Sequence, residues 1–174
     1  NKVPLLFNIL GNSDYEKVLI FCKTKYGADI IVKALEKASI TAASLHSGKT
    51  QAVREEALQN FKDAKLRVLV ATDVAARGID VDNITLVINY NLPEDPRNYI
   101  HRIGRTARAG KNGMAISFAV ENDVRQLTTI ENSIGQVIPV VTEQPFHKEF
   151  SKAPIQIKKK KPAKKTNKAR AKRK

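Results

Sequence analysis

The sequence predicts an α/β domain, a mainly parallel sheet flanked by helices, followed by a disordered basic tail. Three observations predict it. Short Val/Leu/Ile-rich runs alternate with stretches whose apolar residues recur at helical spacing, and that alternation means parallel strands joined by crossover helices. The strand runs are hydrophobic almost throughout, which suits a sheet covered on both faces. Charge is unevenly placed: of 31 Lys and Arg residues, 12 fall in residues 151–174, where there is no Asp or Glu. Residues 1–150 keep 19 basic against 17 acidic residues, so a near-neutral domain (1–150) precedes a cationic tail (151–174).

In chain order, residues 17–22 read as a buried strand. Residues 26–38 carry Ala28, Ile31, Val32 and Leu35 at helical spacing. A weaker strand follows at 40–45, and Thr50 can cap a helix running to Phe61. Residues 66–71 and 85–89 are strong strand runs, and Pro96 opens the next helix. A strand over 114–120, a helix over 123–133 and a last strand over 137–141 complete the expected order. Ligands of parallel sheets sit at the carboxyl ends of the strands. That rule gathers residues 22–24, 46–48, 72–80 and 91–93 on one functional edge.

Composition removes several classes of function. At 174 residues and 42% hydrophobic content the chain can bury a core. No apolar run approaches membrane-spanning length and no signal peptide is visible. Cys22 stands alone, so no internal disulfide forms, which fits a cytoplasmic setting. His46, His101 and His147 have no cysteine companions, so no metal site is expected. The tail lacks aromatic residues and apolar periodicity, so it is expected to be disordered when free. Its binding to nucleic acid or another polyanion would be phosphate-driven and salt-sensitive.

Residues 99–110 read Tyr-Ile-His-Arg-Ile-Gly-Arg-Thr-Ala-Arg-Ala-Gly. Arg102, Arg105 and Arg108 recur every three residues, so on a helix they lie near one face. Three arginines so placed repel one another unless an anion joins them, and guanidinium forks suit phosphate oxygens. Upstream, Val68 to Val81 runs from a hydrophobic strand into a polar turn bearing Thr72, Asp73, Arg77, Gly78 and Asp80.

These two segments, in this order, resemble motifs V and VI of the DEAD-box RNA helicases. Val18 to Thr24 is similar to motif IV, His46 to Arg54 (with Gln51 and Arg54) to motif IVa, and Asp82 to Pro93 to motif Va. The resemblance covers about residues 1–145 and implies the three-layer C-terminal RecA-like domain of a helicase core. Gly135 to Pro139 and the basic tail look most like the bacterial RhlE-type branch.

The resemblance implies roles residue by residue. Arg105 and Arg108 match arginine fingers that reach the ATP γ-phosphate across an interdomain cleft. Gly78 and Asp80 match the ATP-binding turn, where the carboxylate accepts from ribose hydroxyls. Thr24, Gly48, Arg54 and Thr72 match contacts to the RNA backbone, which fix position without reading bases. His101 and Arg102 match residues coupling the ATP site to RNA and to the other domain. Asp73 and Arg77 either pair locally or bridge the domains. Gln51 orients its loop.

Three positions depart from the family pattern. Ala107 stands where Gly is usual, tolerable if that residue is helical. Asn91 stands where Asp is usual, and Ser47 interrupts the commoner His-Gly. The phosphate loop, the Asp-Glu-Ala-Asp ligands for Mg²⁺ and the Ser-Ala-Thr motif are not in this sequence, and it begins at Asn1. It therefore reads as one half of an ATP-dependent RNA helicase, an ATP hydrolase. ATP, Mg²⁺ held by an N-terminal RecA-like domain, and RNA are the expected ligands. Alone, the half is expected to lack ATPase activity and to be a monomer. The tail would meet RNA or a ribonucleoprotein.

Overall fold

The computed structural model describes residues 2–11, 14–77, 79–107 and 113–149. Five strands, β1 (Val18–Phe21), β2 (Ala42–Leu45), β3 (Val68–Ala71), β4 (Leu86–Asn89) and β5 (Met114–Ser117), form one sheet in the order β2-β3-β1-β4-β5. Every neighbouring pair is parallel. Val18 sits between Val68 and Leu86, and Phe21 between Ala71 and Asn89, so the central three strands end level.

Helices α1 (Lys2–Leu10), α2 (Lys25–Lys37), α3 (Gln51–Lys62), α4 (Asp73–Ala76), α5 (Pro96–Ile103) and α6 (Val124–Ile134) complete the layers. Strand side chains alternate between two cores, as a period of two requires. Val18, Ile20, Val68, Val70, Leu86 and Ile88 join Leu6 and Leu10 of α1 and Ile31 and Leu35 of α2. Leu19, Phe21, Leu69, Ala71 and Val87 face the other way, against Ala57 and Phe61 of α3 and Ala75 and Ala76 of α4. All four residues of β1, β3 and β4 are buried, which is why these strands read as unbroken apolar runs. Leu92, Tyr99, Leu127 and Ile130 make a smaller cluster between α5 and α6.

Caps fix the helix starts. Thr24 Oγ1 accepts from the Gly27 N–H at 3.0 Å, and Thr50 Oγ1 from the Val53 N–H at 3.4 Å. Asp95 accepts from the Arg97 N–H at 2.9 Å, with Pro96 opening α5. Gly135, at φ +70, closes α6 in the left-handed conformation, its N–H bonded to the Glu131 carbonyl.

The structure corrects the sequence reading in four places. Helix α1 is an element it did not contain. Residues 137–141 form no strand: the Ile138 N–H goes to the Glu131 carboxylate at 2.9 Å instead of to a ladder, and Val137, Val140 and Val141 are exposed. The arginine-bearing helix stops at Ile103, so Arg105 lies beyond its C-cap, Gly104. Ala107 is not helical, since its φ of 57 is left-handed. Gly78, Arg108 and the tail lie outside the described residues.

Candidate functional site

The carboxyl ends of β1, β3 and β4 open onto one edge, and Arg102 is its centre. It comes from the last turn of α5 and its side chain is 3% exposed. Nε donates to Asp73 Oδ1 at 2.6 Å and Nη2 to Asp73 Oδ2 at 2.7 Å, a two-pronged fork. Nη1 donates to Asn89 Oδ1 at 3.0 Å and to the Asn91 carbonyl at 2.7 Å. The guanidinium lies 4.9 Å from the Phe21 ring centroid. Asn89 in turn donates to Ser117 Oγ at 3.1 Å. One side chain thus ties α5 to the ends of β1, β3 and β4 and, through Asn89, to β5.

This alters the reading of the arginine triplet. Arg102 is neutralised within the domain and is not one of three charges waiting for an anion. Asp73 accepts with both carboxylate oxygens from Arg102. The two residues line a shallow cleft with Arg77, Asn98, His101 and Arg105. Arg77 and His101 are exposed there. Arg105 is half-buried, and its Nη1 donates to the Ile79 carbonyl at 2.7 Å. That bond places Arg105 beside the backbone next to Asp80, whose side chain is exposed. Thr106 Oγ1 and the Ala107 nitrogen stand so close to Gly113 that a Cβ there would collide with both.

The other predicted residues line the ends of β1, β2 and β3. Thr24 caps α2; its oxygen takes the Gly27 N–H and keeps its own O–H to donate. Thr72 occupies the N-cap position of α4 without making a capping bond. Arg54, in the first turn of α3, donates from Nη1 to Gln51 Oε1 at 3.2 Å, while Gln51 donates to Glu55 at 2.7 Å. The Arg54 Nε is buried with no hydrogen-bond partner among the described residues. Gly48 sits against His46, and its N–H donates to His46 Nδ1 at 3.1 Å.

The sequence reading missed the group that supports Gly48. With Nδ1 accepting, the neutral His46 ring carries its proton on Nε2, 3.0 Å from Asp29 Oδ1. Asp29 also takes the Ser44 hydroxyl at 2.6 Å and faces Lys49 Nζ at 3.1 Å. Burial works to raise the Asp29 carboxyl, but the bonds from Ser44, His46 and Lys49 outweigh it and hold the pKa well below the usual range. Asp29 borders the apolar stripe of α2, the one signal available beforehand. Asn91, the departure from Asp, uses Oδ1 to accept from the Lys23 N–H at 3.1 Å and joins the β1 and β4 loops.

Residues 1–110 match the family model of the helicase conserved C-terminal domain. The chain belongs to this helicase family. It is 44% identical over 142 residues to the ATP-dependent RNA helicase RhlB of Pseudomonas syringae pv. tomato, covering 82% of the chain and 36% of that relative. It is 41% identical over 152 residues to the ATP-dependent RNA helicase DbpA of Bacillus subtilis, covering 87% and 32%. The chain thus spans about a third of the length of the curated relatives it matches. Among solved structures, the E. coli DEAD-box protein SrmB, bound to the regulator of ribonuclease activity A, superposes with TM-score 0.79 at 34% identity, covering 87% of this chain and 91% of that one. A DEAD-box protein from the hyperthermophile Methanococcus jannaschii gives 0.73 at 40% identity, covering 78% and 37%. This is a C-terminal helicase domain of the DEAD-box type. No helix among the described residues is long and apolar enough to cross a membrane.

Proposed function

We propose that this domain is the arginine-finger and RNA-backbone half of an ATP-dependent RNA helicase. Arg105, with Arg108, serves the γ-phosphate, and Asp80, with Gly78, serves the nucleoside. Thr24, Gly48, Arg54 and Thr72 hold the RNA backbone. The observation that carries this reading is the Arg102–Asp73 fork: with the bonds to Asn89 and Asn91 and the Phe21 contact, it joins the end of α5, from which Arg105 follows, to the ends of β1, β3 and β4, near which Thr24 and Thr72 stand. Closure against a nucleotide-bearing N-terminal RecA-like domain would bring charge to the transferring phosphoryl group. The same rigid edge would then carry that movement to the RNA contacts, with Asp73, Arg77, His101 and Arg102 as the coupling residues.

The Mg²⁺ that accompanies ATP would take its protein ligands from the N-terminal RecA-like domain, as the family resemblance implies, and the isolated half would then not turn ATP over. The basic tail tethers RNA by non-specific electrostatics. The domain boundary at residue 150, a monomeric state, a cytoplasmic setting and the RhlE-type branch belong to the same proposal.

The test is Arg105→Ala in the complete two-domain protein. RNA-stimulated ATP turnover falls by about 10³-fold or more, the scale of an arginine finger, while RNA affinity without nucleotide is unchanged. Unaltered turnover overturns the assignment.

A further inference from the structure

Backbone contacts alone leave one feature of this edge unused. Tyr26, in the first turn of α2, is 72% exposed, and Ile30, one turn on, is 63% exposed. They are the two large exposed hydrophobics of a helix whose Ala28, Ile31, Val32 and Leu35 are buried. Tyr26 is two residues from Thr24. Lys25 lies between them, and its Nζ is 5.3 Å from the Tyr26 ring centroid. The same Lys25 side chain runs past Gly48, with Cδ 3.5 Å from where a Gly48 Cβ would stand. Gly48, Lys25 and Tyr26 therefore form one continuous strip beginning at the proposed RNA contacts.

We propose that the Tyr26 ring stacks on a nucleobase of single-stranded RNA whose phosphates lie along Thr24, Gly48 and Arg54. This rests on the RNA-backbone reading above and adds a base contact to it. The chemistry of the strip favours this occupant. An aromatic face stacks on any base, and a neighbouring ammonium both strengthens the ring contact and meets the adjoining phosphate. A protein partner would need a wider apolar face than Tyr26 and Ile30, which are framed by Lys25, Asp29 and Lys33 on their own helix. Tyrosine has only two side-chain torsions to fix, so ordering it against a base costs little. Because every base has a π-face, the contact adds affinity with little sequence preference.

The experiment uses the 174-residue chain at about 0.3 M salt, which suppresses the electrostatic contribution of the tail. The probe is an oligouridylate of about ten nucleotides carrying 2-aminopurine at one position, scanned along the strand. Wild type and Tyr26→Phe quench the fluorophore at a preferred position. Tyr26→Ala loses the quenching and binds about tenfold more weakly, with an unchanged salt slope, since stacking releases no counterions. Tyr26 is exposed, so thermal melts of the variant stay at wild-type values. Retained quenching and affinity in Tyr26→Ala overturn the stacking. A parallel Arg54→Ala arm separates the two readings. If Arg54→Ala weakens binding and Tyr26→Ala does not, only the stacking falls; if neither changes binding, the backbone reading falls with it.

Discussion

Arg102→Ala tests the claim that this edge is one rigid body. The substitution deletes the fork to Asp73, the donor to Asn89 Oδ1 and the donor to the Asn91 carbonyl. Removing one partner of a buried ion pair costs about 3–5 kcal/mol. Asp73 is one-third exposed, at 33%, and rehydrates in part, so its share falls to about 2–3 kcal/mol. Asn89 is fully buried, and stranding its acceptor adds roughly 1 kcal/mol. The loss is therefore about 3–4 kcal/mol. With a urea m-value of about 2 kcal/mol/M, the unfolding midpoint moves down by roughly 1.5–2 M. Equilibrium urea unfolding followed by circular dichroism reads this directly. A double-mutant cycle with Asp73→Ala should give a coupling of about 1.5–3 kcal/mol. Arg102→Lys should recover less than half of the loss, because a point charge cannot span both oxygens. A loss below about 1 kcal/mol, or additive single variants, refutes the reasoning.

Two further outcomes are expected. Ala107→Gly removes the Cβ penalty of a left-handed residue, about 1–2 kcal/mol, against a glycine entropy cost of roughly 0.5–1, so the variant should gain about 0.5 kcal/mol; a lower urea midpoint would contradict this. Asp29 has a folded pKa below its ordinary 3.8, so its stabilisation is complete above about pH 4 and is lost as pH falls toward the folded value. The stability gap between wild type and Asp29→Asn should thus hold from pH 7 to pH 5 and narrow below pH 4, and a gap that widens there would reverse the assigned sign.

The sheet was legible because its central strands are buried on both faces. Such strands need nothing but apolar residues, and residues 17–22, 66–71 and 85–89 announce themselves. Helix α1 was not legible for the opposite reason. Its nine residues, Lys2–Leu10, place apolar side chains at seven positions counting Pro4, so no polar face marks a helical period. Residues 137–141 have the composition of a strand, but the Glu131 carboxylate takes the Ile138 N–H first. A side-chain hydrogen bond reaching back seven residues leaves no periodic signature in the sequence. The same holds for Asp29, whose partners Ser44, His46 and Lys49 arrive from the next strand and its loop.

The arginine triplet shows where a periodicity argument stops. Spacing by three brings side chains together only while the helix lasts, and here Gly104 ends it after Ile103. Arg102, on the helix, turns inward and is consumed by Asp73, Asn89 and Asn91. Arg105, past the cap, is carried on a turn and reaches the Ile79 carbonyl beside Asp80. Equal spacing therefore conceals two kinds of arginine. Arg102, whose three nitrogens all donate inside the domain, holds loops together, and removing its partner shifts stability. Arg105, on the turn after the cap, is the one proposed to meet a ligand, and on that proposal its removal shifts turnover. Arg102→Ala and Arg105→Ala should accordingly part company, the first read in urea and the second in ATP hydrolysis. Equal stability losses would return the two residues to a single class.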